Sequence, residues 1–290
     1  MLTPTRIYIS VPRDGWLQPE QLDIKRGIFD RIRSVGFEPH EFLISGDLSH
    51  MTWSHENLQY ILGRCQGAAI LGFIRWNVRD TEKTYQFNSA YNHYEGALAL
   101  AKNLPTFILM HEHVHKAAIA IKGRAQHYVR LPDKVNSLWL QTDEFLSKFD
   151  GWIDAVKKRH HLFFAYCSKA QATATKIKDF LTGRGVSVVD QAIDLNPRSL
   201  TMDGMEKAAR LCMGGIFLFT KDDETGTKEN MLFEAGYFMH AKGTDKTFII
   251  GEEGSKPPAG MERGIYLPLQ NRSDIVPLEK DLEKFIVKNL

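Results

Sequence analysis

The chain has 290 residues, 43% hydrophobic and 25% charged, with a formal net charge of +2. That is the length of one large domain or two ordinary ones, with the composition of a soluble globular protein. The charge balance gives no nucleic-acid or membrane-surface signal, no apolar run reaches the length of a membrane span, and the N-terminus lacks the apolar core of a secretion signal.

Three cysteines, Cys65, Cys167 and Cys212, are spaced too far apart for a zinc or disulfide pattern, so a reducing cytoplasm is the expected location. Residues 6–10 read as a short strand, followed by a loop at 11–15. Residues 21–35 are amphipathic, with Leu22, Ile28, Phe29 and Ile32 on one face, and Gly36 ends the helix. A second strand is expected at 37–44, with Pro39 marking an edge. A helix at 55–65 precedes an apolar strand at 67–74. Residues 75–90 read as a long polar loop, 91–102 as a helix and 106–110 as a strand. A further strand at 135–140 and a helix at 143–158 close this half.

The second half repeats the plan. Strands are expected at 162–166, 185–189, 215–219, 246–250 and 265–269. Helices are expected at 170–181 (stopped by Gly183), 202–212, 231–242 (ended by Gly243) and from 276 onward, with a polar loop at 220–230 holding Gly226. Alternating strands and helices imply βαβ units and parallel sheets. The expectation is therefore an α/β chain of two tandem flavodoxin-like domains, 1–157 and 158–290. The boundary falls at the basic run Lys157-Lys158-Arg159-His160.

Glu234 is the anomaly of the second half. It lies between Phe233 and Ala235, in the first turn of the expected helix and near the carboxyl end of a strand. Helix N-termini favour carboxylates, and open α/β sheets bind ligands at strand ends. A solvated or capping glutamate is the competing interpretation.

Three segments carry a family resemblance: Thr220-Lys-Asp222-Asp223, then Asn230-Met-Leu-Phe233-Glu234-Ala-Gly236-Tyr237-Phe, then Lys246-Thr-Phe-Ile-Ile. Together they resemble the TIR-like predicted nucleotide-binding domain of bacterial anti-phage effectors, from about His161 to the C-terminus. The segment from Asn92 through Glu95-Gly96-Ala97 to Pro105 resembles, over a shorter stretch, the nucleoside deoxyribosyltransferase and TIR-like superfamily. Packing of the small residues Gly96, Ala97, Ala99 and Ala101 against a sheet explains that helix equally well.

The first resemblance implies NAD as substrate and Glu234 as the catalytic carboxylate. Cleavage of an N-glycosidic bond passes through an oxocarbenium-like state that a carboxylate stabilises, and needs no metal. Asn230, Asp222, Asp223, Tyr166, Ser168, Phe233 and Tyr237 are the accompanying substrate-binding candidates, with Phe164 a further aromatic. Asp222 and Asp223 read equally as loop caps, and Ser168 as a helix cap. Glu95, Asn92 and Trp76 form a candidate N-terminal ligand site, with Trp53, Tyr85 and Tyr91 nearby. Asn92 is three residues from Glu95, whereas Asn230 is four from Glu234. That difference rotates Asn92 by about 100°.

No Gly-x-Gly-x-x-Gly or Walker A pattern appears. His111, His113 and His115 alternate along an extended segment without a fourth ligand, so no metal is expected. The resemblance implies activity after oligomerisation or after binding of a nucleotide second messenger, with the N-terminal half as sensor or assembly module. The alternative is a non-catalytic nucleotide-binding module. Neither reading includes membrane or direct nucleic-acid binding.

Overall fold

The computed structural model describes residues 5–42, 52–190, 202–223, 225–255 and 265–290. They form two compact units, one running to Lys158 and one from Arg159.

The first unit contains strands β1 (Arg6–Ser10), β2 (Glu38–His40), β3 (Cys65–Gly72), β4 (Trp76–Arg79), β5 (Thr84–Phe87), β6 (Thr106–His111) and β7 (His127–Leu131). Its helices are α1 (Pro19–Ser34), α2 (His55–Leu62), α3 (Ala90–Ala101) and α4 (Asp143–Lys157). Five strands form one parallel sheet in the order β2-β1-β3-β6-β7. With the β4–β5 hairpin set aside this is the flavodoxin-like order. Strands β3 and β6 are buried along their whole length, as expected where helices cover both faces. Alternation in β1 sends Ile7 and Ile9 to one face and Tyr8 to the other. The first face packs against Ile24, Ile28 and Ile32 of α1 and against Phe145, Phe149 and Trp152 of α4. The Trp152 indole donates to the Pro105 carbonyl at 2.9 Å, so this large ring is buried without losing a hydrogen bond.

The second unit contains β8 (His160–Tyr166), β9 (Val188–Asp190), β10 (Cys212–Phe219), β11 (Thr247–Glu252) and β12 (Ile265–Leu269). Its helices are α5 (Gln171–Gly183), α6 (Met202–Leu211), α7 (Thr225–Lys242) and α8 (Val276–Asn289). Its sheet, β9-β8-β10-β11-β12, is also wholly parallel and has the same order. Helix α7 buries Met231, Ala235 and Phe238 against Phe163 and Phe217, with the Phe163 and Phe238 rings stacked at 4.9 Å. Among the described residues no helix is long and apolar enough to cross a membrane.

Several local expectations are corrected. Residues 75–90 are not a plain loop: Trp76–Arg79 pairs antiparallel with Thr84–Phe87. The last strand of the first sheet is His127–Leu131, and the stretch expected as a strand holds a 3-10 turn at Ser137–Gln141. The apolar residues Trp139 and Leu140 are buried there by packing against α1 and α4, which mimics a strand signal. The second strand is short, Glu38–His40, and residues 43–44 of the expected span lie outside the described residues. Gly183 is the last residue of α5, and the left-handed turn falls on Gly185, φ 82°. Helix α7 begins at Thr225, not at Met231. Glu234 therefore lies more than two turns inside the helix, and the N-terminal dipole argument does not apply to it.

Candidate functional site

Glu234 is held inward by the neighbours that bury α7. Met231, Ala235 and Phe238 form the face that docks on the sheet, and Glu234 shares that face at helical spacing. The carboxylate residue is only 4% exposed. A buried carboxylate keeps its charge only where its surroundings compensate the cost of leaving water. Asn230, one turn earlier, is exposed, as is Phe233, whereas Tyr237 is half-buried beside the α7 core.

The loop after β10 closes on itself. The Thr220 backbone N–H donates to Asp223 Oδ2 at 2.6 Å, and its hydroxyl donates to Asp223 Oδ1. Asp222 is gripped by both terminal nitrogens of Arg272, one at 3.0 Å from Oδ2. Arg272 Nη2 also donates to Glu252 Oε2 at 2.5 Å, and the Lys221 N–H donates to the same oxygen at 2.9 Å. Arg272 follows β12, Asp222 follows β10, and Glu252 ends β11. One guanidinium thus ties the carboxyl ends of three neighbouring strands. Its hydrogen bonds hold the Asp222 carboxyl well below the usual carboxylate range. Burial would raise Glu252, but Arg272 and Lys221 outweigh it and hold that carboxyl below its ordinary value.

Tyr166 ends β8, and its hydroxyl donates to Asp190 Oδ2 at 2.6 Å; Phe164 is a fully buried core ring. Ser168 is exposed and opens a 3-10 turn, while α5 has no side-chain cap, so the expected capping role is absent. Cys167 is buried with its sulfur 3.5 Å from the Thr220 hydroxyl, and burial pushes its thiol up, the wrong direction for a nucleophile. Of the candidates, the structure brings Asp222 and Asp223 into one loop network and sets Asn230, Phe233, Glu234 and Tyr237 along α7. Arg272, Glu252 and Asp190 were missed, because a single charged residue after a strand carries no motif.

The first unit has a formed cavity of about 240 Å³ at the carboxyl end of β1. Its walls include Tyr8, Ser10, Glu41, Trp53, Asn92 and Glu95. The Trp53 indole donates to Glu95 Oε1 at 3.2 Å, and Ser10 and Tyr8 also hydrogen-bond this carboxylate. Burial raises the Glu95 carboxyl, and those three bonds oppose the rise. Asn92 is buried and donates to the Ser10 hydroxyl at 2.8 Å and the Ser10 carbonyl at 3.1 Å. It is thus committed to β1, whereas Asn230 is exposed. Trp76 is not among the cavity residues: it lies on the hairpin with Arg75 over its ring at 4.4 Å. Ser10 had a legible signal, a polar residue ending an apolar strand before a Pro-Gly loop. Tyr8 and Glu41 had none.

His111 lies 3.6 Å from Asp133, while His115 packs separately against Tyr85 and Phe87. Among the described residues no group of three or more His, Cys, Asp or Glu is placed to hold a metal ion.

No curated protein matches the chain. Two solved structures are similar over part of it: a metazoan TIR-STING receptor from C. gigas and the same receptor in complex with 2',3'-cGAMP. Each is 18% identical, with TM-scores of 0.34 and 0.36 and 45% of this chain covered. The likeness spans 41% and 40% of those chains, less than half of the receptor. Residues 161–271 match the sequence model of the family described as CAP12/Pycsar effector protein, TIR domain. That span runs from β8 to the loop after β12 and includes none of the first unit. It is thus the second unit, with Asn230, Glu234, Gly236 and Tyr237, that is similar to the TIR domain of these effectors.

Proposed function

We propose that the chain is a TIR-type immune effector whose second unit hydrolyses NAD at the bond between ribose and nicotinamide. The observation that carries this reading is a carboxylate, Glu234, buried on the helix after the central strand, inside the span that matches the effector TIR domain. In the reaction the C1′–N bond breaks and the bonding pair leaves with nicotinamide. Water adds to C1′ and releases a proton, giving ADP-ribose; attack by an internal nitrogen in place of water gives a cyclic product. Glu234 stabilises the positive charge that develops on the ribose. Asn230, Phe233 and Tyr237 on α7, with Tyr166, Ser168, Asp222 and Asp223 at the strand ends, frame the substrate. The Arg272 network keeps the Thr220–Asp223 loop in one conformation beside it. The first unit regulates or assembles, and a homo-oligomer formed on a signal is the active species.

Incubating the full chain with NAD and measuring free nicotinamide tests this, with and without cyclic nucleotides. Release of nicotinamide that disappears in Glu234→Gln supports it. NAD binding without any release, in every state of assembly, favours the non-catalytic nucleotide-binding module instead.

A further inference from the structure

Strands β4 and β5 of the first unit form an antiparallel pair of their own. All four residues of β4 are exposed, and none of β5 is buried. One face of this hairpin is apolar: Trp76 and Val78, 54% and 51% exposed, lie opposite Phe87 and Tyr85. The other face is polar, and Gln86 Nε2 donates to Asn77 Oδ1 across it at 3.2 Å. A two-stranded ribbon standing alone in water is marginally stable, and further strands or a packed face secure it. On its outer side β5 has such support. The Gln86 carbonyl accepts from the His115 N–H at 2.7 Å, and the His115 ring packs on Tyr85 and Phe87. Among the described residues no strand pairs with the outer edge of β4.

The Asp80 N–H donates to the Lys83 carbonyl at 2.8 Å and closes the turn. Hydrogen-bonded and non-hydrogen-bonded pairs alternate back from there, so Val78 turns its backbone groups to β5 while Asn77 and Arg79 turn theirs outward. Such an edge is a template for another strand, and β4 holds no proline or bulge that would block one. Charge selects the strand it fits. Arg75 stands at the base of the hairpin, and Asp80 and Glu82 at its turn. Antiparallel pairing of two copies lays the acidic turn of each beside the basic base of the other. Centred on Asn77, that pairing would set Arg75 opposite Arg79; centred on Arg79, it would oppose the two Arg79 side chains. Like charges directly opposite destabilise a sheet. Centring on Val78 avoids both, and matches the outward backbone groups of Asn77 with those of Arg79 in each direction. The two Val78 side chains then meet, each with Tyr85 on its other side, in a row of aromatic and β-branched pairs across four strands.

We propose that β4 pairs antiparallel with β4 of a second copy of this chain, about a two-fold axis at Val78, making one four-stranded sheet from two hairpins. The contact is small, so it joins free chains weakly and strengthens any assembly that already holds them together. It supplies a surface for the homo-oligomer of the proposed function. It stands apart from the NAD reading, because crosslinking reads it without substrate.

Cysteine scanning of the full chain is the test. The native cysteines, Cys65, Cys167 and Cys212, are all buried, so the parent sets a low background. Under mild oxidation Val78→Cys is expected to give a disulfide-linked dimer, since directly opposite Cβ atoms lie about 4.5–5.5 Å apart and closest in non-hydrogen-bonded pairs. Asn77→Cys and Arg79→Cys, whose copies are diagonal neighbours roughly 7–8 Å apart, and Thr81→Cys at the exposed turn should crosslink at least about fivefold less. Val78→Lys sets two ammonium groups face to face at an exposed position. In sedimentation it should self-associate about tenfold or more weakly than the parent. Glu234→Gln added to Val78→Cys leaves the crosslink unchanged, so this outcome and the NAD reading stand or fall separately. The proposal is overturned if position 78 crosslinks no better than 77, 79 and 81, or if Val78→Lys associates like the parent. A Val78→Cys chain that stays uncrosslinked also overturns it, and would leave the edge to a strand of another protein.

Discussion

At the scale of single residues, Glu234 and His161 make opposite kinds of prediction. Glu234→Gln keeps the side-chain volume and removes the charge, so the loss falls on the transition state more than on substrate binding. Nicotinamide release should drop by about 10²–10³-fold while NAD still binds and the melting temperature holds. Release at the parental rate would remove the residue on which the enzymatic reading turns. His161 concerns stability alone. Its Nδ1 accepts from the Ser187 N–H at 3.1 Å, and burial first, then the neighbouring His160, lowers its pKa from 6.5 to about 4. Between those values the unfolded chain binds the proton and the folded one does not. The contribution is complete above pH 6.5 and is lost as pH falls towards 4. Thermal unfolding from pH 7 to pH 4 should show that decline, and His161→Asn, which keeps an acceptor without titrating, should flatten it. An unchanged slope would place the pH dependence elsewhere, for example at His40, also lowered to about 4. Asp222 and Asp223 illustrate why chemistry-bearing residue types do not fix roles. Their partners, Arg272 and Thr220, became visible only with the loops in place.

At the scale of elements, the apolar strands were legible because parallel strands buried on both faces read as continuous hydrophobic runs. Strand β10 shows what such a run demands in detail. A Cβ on Gly214 would meet the Lys246 backbone carbonyl. Backbone in a sheet cannot step aside as a side-chain tip can, so Gly214→Ala should destabilise by about 1–3 kcal/mol or more. Denaturant unfolding measures this; a loss under half of that would mean the chain before β11 shifts freely. The start of α7 was misplaced because residues 225–230, Thr-Gly-Thr-Lys-Glu-Asn, have weak helix propensity and no apolar periodicity. Tertiary packing of the later turns carries the helix back through them. The hairpin Trp76–Arg79/Thr84–Phe87 was missed for a related reason. Its residues are exposed or half-exposed, so no buried face imposed alternation.

At the scale of the whole molecule, each cluster of buried apolar residues among the described residues lies within 4–158 or within 159–290. Fragments 1–158 and 159–290 should therefore each unfold cooperatively when produced alone. We expect only the second to release nicotinamide, and without the control exerted in the full chain. Cleavage of NAD by the first fragment at the full-chain rate would reverse the assignment of roles. The sequence by itself determined the repeated alternation of strand and helix, and with it two parallel sheets, because hydrophobic period and turn residues act over a few neighbouring positions. It also singled out Glu234, a carboxylate among apolar helix neighbours, and Glu95, which holds the corresponding place in the repeated plan. Tertiary structure alone decided that Glu95 sits over a formed cavity and which residues complete it. Tyr8 and Ser10 on β1, Trp53 before α2 and Glu95 on α3 come from three distant parts of the chain, and only the packing of those segments makes them one site. Hydrogen bonds, burial and the screening of charge depend on distances in space, and those distances are set by the packing of whole elements.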